Sequence, residues 1–401
     1  MRVLLLNQTF YPDVVSTAQH AADLAAGLAD AGHDVTVVAS RRAYDAPSRL
    51  FPAWERWRDV GILCVPSTAL GKSARWRRAI DFASFLLACL VRLAMLPRFD
   101  VVVAMTSPPL IGVLAALFVR LKGGAMVSWI MDLNPDEAIA AGALRRESLM
   151  ARALARLLRF SLAASSGVVV LDRFMRDRVI AKGVAERRVA MLPPWSHSSV
   201  VHYDEHGRER FRSAHGLVGK FVVMYSGNHS PCHPLDTVLE AARVMRDDTR
   251  VAFVFIGGGS EFRKVDIGLG NVICLPYQPL EMLAGSLSAA DLHLVVMGEP
   301  FVGIVHPCKI YNVLAVGSPC LYIGPRPSHV TELAADSICC AAHGDVAGVI
   351  DIIRRSAALG ARRLKAMDEF SAASLVPAMI ALIEEAGRAR EDVVRVAAAV
   401  S

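Results

Sequence analysis

The chain has 401 residues, 54% of them hydrophobic and 20% charged, a balance that excludes a disordered or low-complexity protein and a length that favours two domains over one core. Its eight cysteines lack the C-x-x-C spacing of a zinc or redox motif and read as reduced core thiols of a cytosolic protein. The net charge of +6 is uneven, with 25 Lys+Arg against 16 Asp+Glu in residues 1–195 and 19 against 22 in the remainder, so the basic character belongs to the first half.

The opening MRVLLLNQTFYPD holds an apolar run too short for a signal peptide and ended at once by Asn7 and Gln8, which makes it a first strand. Thr17–Ala31 carries Leu24, Leu28 and an alanine face as a helix that stops at Gly32. His33–Ser40 then returns as a β-branched strand, completing a βαβ unit with a parallel pair. Val101–Met105, Ala125–Met131 and Gly167–Leu171 are further apolar strands, with helical stretches between them. Near-continuous apolar strands of this kind belong to a sheet covered on both faces.

Two segments depart from the average pattern. Arg75-Trp76-Arg77-Arg78 leads into an apolar helix, Ala79–Leu96, and Arg145, Arg146, Arg152, Arg156 and Arg159 lie among leucines and alanines before Ser161. Asp81 and Arg92 interrupt the first run, which leaves it at the lower limit of a membrane span. Arginines and a tryptophan opposite Phe and Leu describe either an element lying on a membrane surface or an ordinary amphipathic helix with solvated arginines. Nucleic acid is not expected, because the basic patches lack interleaved aromatics or a reading motif.

A strand at Arg188–Leu192 ends at Pro193-Pro194, closing a first domain of residues 1–194. Residues 195–219 are polar, histidine-rich and without period, and are expected to be a linker. A second α/β domain follows over residues 220–370, with strands at Lys220–Gly227, Val251–Gly259, Asn271–Tyr277, Asp291–Met297, Pro319–Gly324 and Ser337–Ala342. Residues 371–401 read as C-terminal helices that cross back to the first domain.

Ligands of open α/β sheets bind beyond the carboxyl ends of the strands. The loops there carry Gly227, Asn228, His229 and His233; Gly257, Gly258 and Gly259; Tyr277 and Gln278; and Gly298, Glu299 and Gly303. Pro307 is placed to begin a helix, which would set Lys309 among free backbone N–H groups and suit it to a phosphate. Each has a plainer reading: histidines fill turns, a glycine run without G-x-G-x-x-G spacing serves a strand-to-loop turn, and Lys309 is a solvated loop lysine. Asp132, close to Asn134 and Pro135, either serves a turn or a helix cap or faces an acceptor hydroxyl.

The stretches Tyr225–Ala242, Leu275–Val295 and Gly303–Pro319 resemble the second domain of GT-B glycosyltransferases, nearest to the family 4 enzymes of bacterial surface polysaccharide biosynthesis. Phe10–Ser40 and Trp129–Leu144 resemble the first domain of the same enzymes. The resemblance implies an α/β fold of two Rossmann-like domains facing each other across a cleft. It also implies retaining, metal-independent transfer of a hexose from a nucleotide diphosphate sugar, a UDP-sugar in the first place, to a lipid-linked saccharide at the inner face of the membrane. No cofactor is implied.

By the same resemblance Lys309, in Pro307-Cys308-Lys309, meets the diphosphate; Asp132, from its place after a strand, and His233, standing where the family carries a different residue, are expected to join it in catalysis. Gly227, Asn228, His229, Gly258, Tyr277, Gln278, Glu299, Gly303 and Asn312 hold the donor, and Thr17, Asp132 and Asn134 border the acceptor. The absence of a DxD motif at the end of an apolar strand agrees with departure of the diphosphate assisted by cations alone. Two departures from the family pattern are visible: Asn228 and His233 stand where many members carry an arginine and a lysine, and Ile304 and Asn312 replace two glutamates. A nucleotide-sugar epimerase of the same fold and a non-catalytic, membrane-associated sugar-nucleotide-binding protein are the alternatives.

Overall fold

The computed structural model describes residues 1–13, 15–44, 48–71, 75–196, 201–266, 268–333, 338–360 and 363–400. It divides into two compact units, Met1–Pro193 with Leu375–Ser401, and Pro194–Ser374. Each unit is a mainly parallel sheet with helices packed on it.

In the first unit the strands are β1 (Arg2–Leu6), β2 (Asp34–Ser40), β3 (Trp54–Trp57), β4 (Val60–Val65), β5 (Val101–Ala104), β6 (Ala125–Trp129), β7 (Gly167–Val170) and β8 (Val189–Met191). The helices are α1 (Ser16–Asp30), α2 (Arg75–Met95), α3 (Ile111–Lys122), α4 (Asp136–Ala140), α5 (Leu149–Ala164) and α6 (Arg173–Ala181). The sheet order is β3-β4-β2-β1-β5-β6-β7-β8, parallel except for the β3–β4 hairpin. That hairpin is absent from the sequence reading; it turns on Arg58 and Asp59, both at positive φ, as a two-residue hairpin loop requires.

Every residue of β1 after Arg2 is fully buried, so both faces of its sheet are covered. Leu4, Leu6, Val102 and Ala104 share a core with α2, α3 and the end of α5. Helix α2 inserts Phe85, Cys89 and Leu93, spaced by four residues, into that core, yet leaves Leu87, Leu90, Val91 and Met95 exposed on its other side. No helix among the described residues is long and apolar enough to cross a membrane.

The second unit holds α7 (Glu205–Ala214), β9 (Phe221–Asn228), α8 (Asp236–Val244), β10 (Val251–Gly258), β11 (Val272–Leu275), α9 (Leu283–Ser288), β12 (Leu292–Val296), α10 (Lys309–Ala315), β13 (Cys320–Ile323), α11 (His329–Glu332), β14 (Ile338–Ala341) and α12 (Val346–Leu359). Its six strands are all parallel in the order β11-β10-β9-β12-β13-β14.

The expected linker at 195–219 is corrected here, apart from 197–200, which lie outside the described residues. Asp204 accepts from Gly207 N and starts α7; Phe211 is buried; Arg208 and Arg212 both pair with Asp291, whose side chain is 3% exposed. A polar helix is thus fixed to the sheet by partners about eighty residues away, which no local periodicity shows. The helix expected at Pro307 begins two residues later, at Lys309, because Cys308 N bonds back to His306 O in a tight turn first.

The last helix, α13 (Ala372–Val400), contains the segment from Leu375 that belongs to the first unit. There Val376 packs so close to Gly27 of α1 that a Cβ on that glycine would lie 2.6 Å from Val376 Cγ1. Glu384 meets His33 Nε2 at 3.1 Å.

Candidate active site

In the second unit the strand ends meet at a glycine seam. Gly227 lies opposite Gly257 and Asn228 opposite Gly258 in the β9–β10 register. Gly257 has φ +139°, and a Cβ there would stand 2.0 Å from the Gly227 carbonyl oxygen; at Gly259, with φ +123°, it would stand 2.2 Å from the His229 oxygen. The glycine run is therefore required for backbone against backbone. Tyr277, half exposed, lies edge-on over Gly258, where a Cβ would come within 3.1 Å of its ring.

Lys309, the first residue of α10, reaches back across the seam. Its Nζ sits 3.5 Å from the centroid of the Tyr225 ring, and a Cβ on Gly227 would lie 3.5 Å from the same atom. The ring face offsets part of the lysine's lost hydration. Nζ is buried and has no hydrogen-bond partner among the described residues, and burial holds its pKa well below the ordinary range.

His229 is fully buried, edge-on to Tyr225 at 4.7 Å and to Phe262 at 4.9 Å. Its backbone N–H donates to Gly258 O at 2.7 Å, whereas both ring nitrogens are without a partner among the described residues. Burial first, and Lys309 second, lower its pKa from 6.5 to about 4. His233 Nδ1 lies 2.7 Å from Val296 O. Since a carbonyl only accepts, Nδ1 carries the proton and Nε2 is left as the acceptor of a neutral ring. Burial, then Lys309, bring this pKa down to about 3.

A cluster of basic side chains pushed toward neutrality by burial, and for the histidines also by Lys309, with nitrogens unpartnered among the described residues, has the chemistry to take up an anion. The other residues expected to hold the donor lie elsewhere in the same unit. Asn312 is half-buried three residues after Lys309, Glu299 is exposed in the 3₁₀ turn Glu299–Phe301, and Gly303 turns the chain at φ +70°. Gln278 is occupied in a bond to Pro276 O. Ile304 is buried in an apolar role. Tyr225, not among the expected site residues, supplies the ring under the lysine; its signal was an aromatic side chain two residues before Gly227.

In the first unit the chain leaving β6 passes a cavity of about 170 Å³. Asp132 lines it, and burial, followed by the charge of Glu137, raises its pKa to about 7. The capping role does not apply: Pro135 holds the N-cap position of α4, and Asn134 Nδ2 donates to Glu137 Oε2 at 3.1 Å. Asn134 also lines the cavity. Thr17, in the first turn of α1, pairs with Thr9 Oγ1 at 3.2 Å and is not among the lining residues.

Residues 17–195 match the family model described as a glycosyl transferase 4-like domain. Among curated proteins the chain is similar to one named as a colanic acid biosynthesis glycosyl transferase, WcaI of Escherichia coli strain K12, with 25% identity over 338 residues, 79% of this chain and 82% of that protein. Among solved structures it superposes on Anabaena HepE in complex with UDP and glucose (TM-score 0.69, 13% identity, 96% of this chain and 99% of that one). It also superposes on WaaG, a glycosyltransferase of lipopolysaccharide biosynthesis (TM-score 0.63, 16% identity, 97% and 95%).

Proposed function

We propose, from the premise that this chain is a GT-B glycosyltransferase whose first unit carries a glycosyl transferase 4-like domain, that it moves a hexose from a UDP-sugar held by the second unit to a lipid-linked saccharide held by the first, with retention at the anomeric carbon. The observation that carries this reading is the buried Lys309 Nζ beside the His229 ring, both without a hydrogen-bond partner among the described residues. A diphosphate would supply the negative charge that these groups lack, restore the lysine to its protonated form, and leave with that charge neutralised, so the departing group needs no metal. Binding of UDP by HepE, a protein of the same fold, supports the nucleotide.

Asp132 is the residue of the first unit suited to an acceptor hydroxyl, since a pKa of about 7 lets it take a proton at neutral pH. The exposed apolar side of α2, with Trp76 beside Arg77 and Arg78, supports attachment to the inner face of a membrane. The test is transfer of label from UDP-, GDP-, dTDP- and ADP-sugars to extracted lipid-linked glycans and to free oligosaccharides. Transfer from a UDP-sugar to the lipid-linked fraction is expected; transfer only to water-soluble acceptors would overturn the lipid assignment.

A further inference from the structure

Outside the diphosphate site, the strongest feature of the molecule is the cavity beside Asp132. Its wall is made by Leu110, Ile111, Val113, Ile130, Leu154 and Leu158. Leu110 is held there at φ +75°, a conformation that leucine adopts only when its surroundings impose it. The polar groups that also reach the cavity are spent inside the protein. Ser128 Oγ pairs with Ser165 Oγ at 2.8 Å, Ser161 Oγ donates to Leu158 O at 2.8 Å, Thr106 Oγ1 accepts from Asp132 N at 3.3 Å, and the Asn134 amide is bound to Glu137. The Asp132 carboxyl makes no hydrogen bond to another group among the described residues.

We infer that this cavity receives the ring of an acceptor sugar bearing an apolar substituent, a 6-deoxy methyl or an N-acetyl methyl, with one ring hydroxyl turned to Asp132. The inference deepens the proposed transfer reaction by naming its acceptor class and rests on that reading for the role of Asp132. A cavity of about 170 Å³ holds about one pyranose ring. A fully hydroxylated hexose would press hydroxyls against the side of the cavity formed by Leu110, Ile111, Val113, Ile130, Leu154 and Leu158, losing water there without replacement. A methyl group meets the same wall at no such cost. The first unit of a prenyl chain is also apolar, but it is bonded directly to a diphosphate, which would be brought against the Asp132 and Glu137 carboxyls.

Discrimination of one methyl by an apolar pocket is worth roughly 10–200-fold. The experiment is saturation-transfer NMR on the whole protein with UDP present, using methyl 6-deoxyhexosides and methyl N-acetylhexosaminides, each paired with the hexoside identical at every other position. Saturation should reach the methyl protons, and the substituted sugar should displace its partner with at least a tenfold lower Kd. Leu158→Asn should bring that ratio near one, and the milder Ile111→Val should reduce it if the first variant does not fold. Equal binding within each pair, no methyl saturation, or occupancy by farnesyl phosphate in competition with the sugars would overturn the inference. Because the readout is binding, methyl selectivity without label transfer would sink the transfer reaction and leave this site standing.

Discussion

The two candidate sites solve burial in opposite ways. Around Lys309 the second unit leaves strong hydrogen-bonding atoms without partners among the described residues. Around Asp132 the first unit pairs its hydroxyls and amide internally and presents hydrocarbon. In each, desolvation pushes the central charge toward neutrality, the lysine down and the carboxyl up. On the readings proposed above, the open nitrogens would favour a ligand that restores charge, whereas the apolar wall would favour one that brings none.

The sharpest way to break this contrast is Lys309→Ala, expected to cost on the order of 10²–10³ in kcat with the fold unchanged by circular dichroism. Near-normal turnover with the correct donor would remove the lysine from the reaction. Next is Asp132→Asn, expected to slow transfer by about 100-fold. As a base with a pKa of about 7, the wild-type residue should lose activity as pH falls below that value, and the variant should lose this pH limb; an unchanged profile would assign the limb elsewhere.

A smaller effect tests the histidines through stability. With a folded pKa of about 4 against 6.5 unfolded, His229 leaves the unfolded chain binding more protons between those values, so stability is lost as pH falls through that window. Urea unfolding should lose on the order of 2 kcal/mol from about pH 7 to about pH 5 on this account, and His229→Phe should flatten the slope. An identical slope in the variant would show that the ring is not held neutral. The smallest effect concerns the surface: neutralising Arg77 or Arg78 should weaken binding to anionic vesicles by about 1 kcal/mol each. Flotation that ignores both the substitution and added salt would dissociate α2 from a membrane.

Much of the second site was legible because it is local. The strand Asp291–Met297, the glycines and Lys309 lie in stretches whose residue types announce strand, turn and cation in order. His229 was visible as a residue but not as a buried ring, because its walls, Tyr225 and Phe262, come from different segments. Asp132 was visible too, yet the cavity beside it is assembled from α3, the loop after β6 and α5, and only the fold brings those together. Helix α7 was read as a linker for the same reason: Gly207 and Phe211 are its only buried residues, too few to set a period, and Asp291 secures it from 83 residues away. The β3–β4 hairpin escaped because its turn relies on Arg58 and Asp59 in a conformation usually left to Gly or Asn.

The contact of Val376 with Gly27 also has a meaning for how the molecule is made. On a ribosome the strands of the first unit emerge first, but the helix that covers Gly27, from Leu375 onward, is translated only after the whole second unit. At roughly 5–20 residues per second, α1 waits tens of seconds with part of its alanine face uncovered. The first unit is therefore completed only after the second has been translated, and a nascent chain halted before residue 375 would present that face to chaperones.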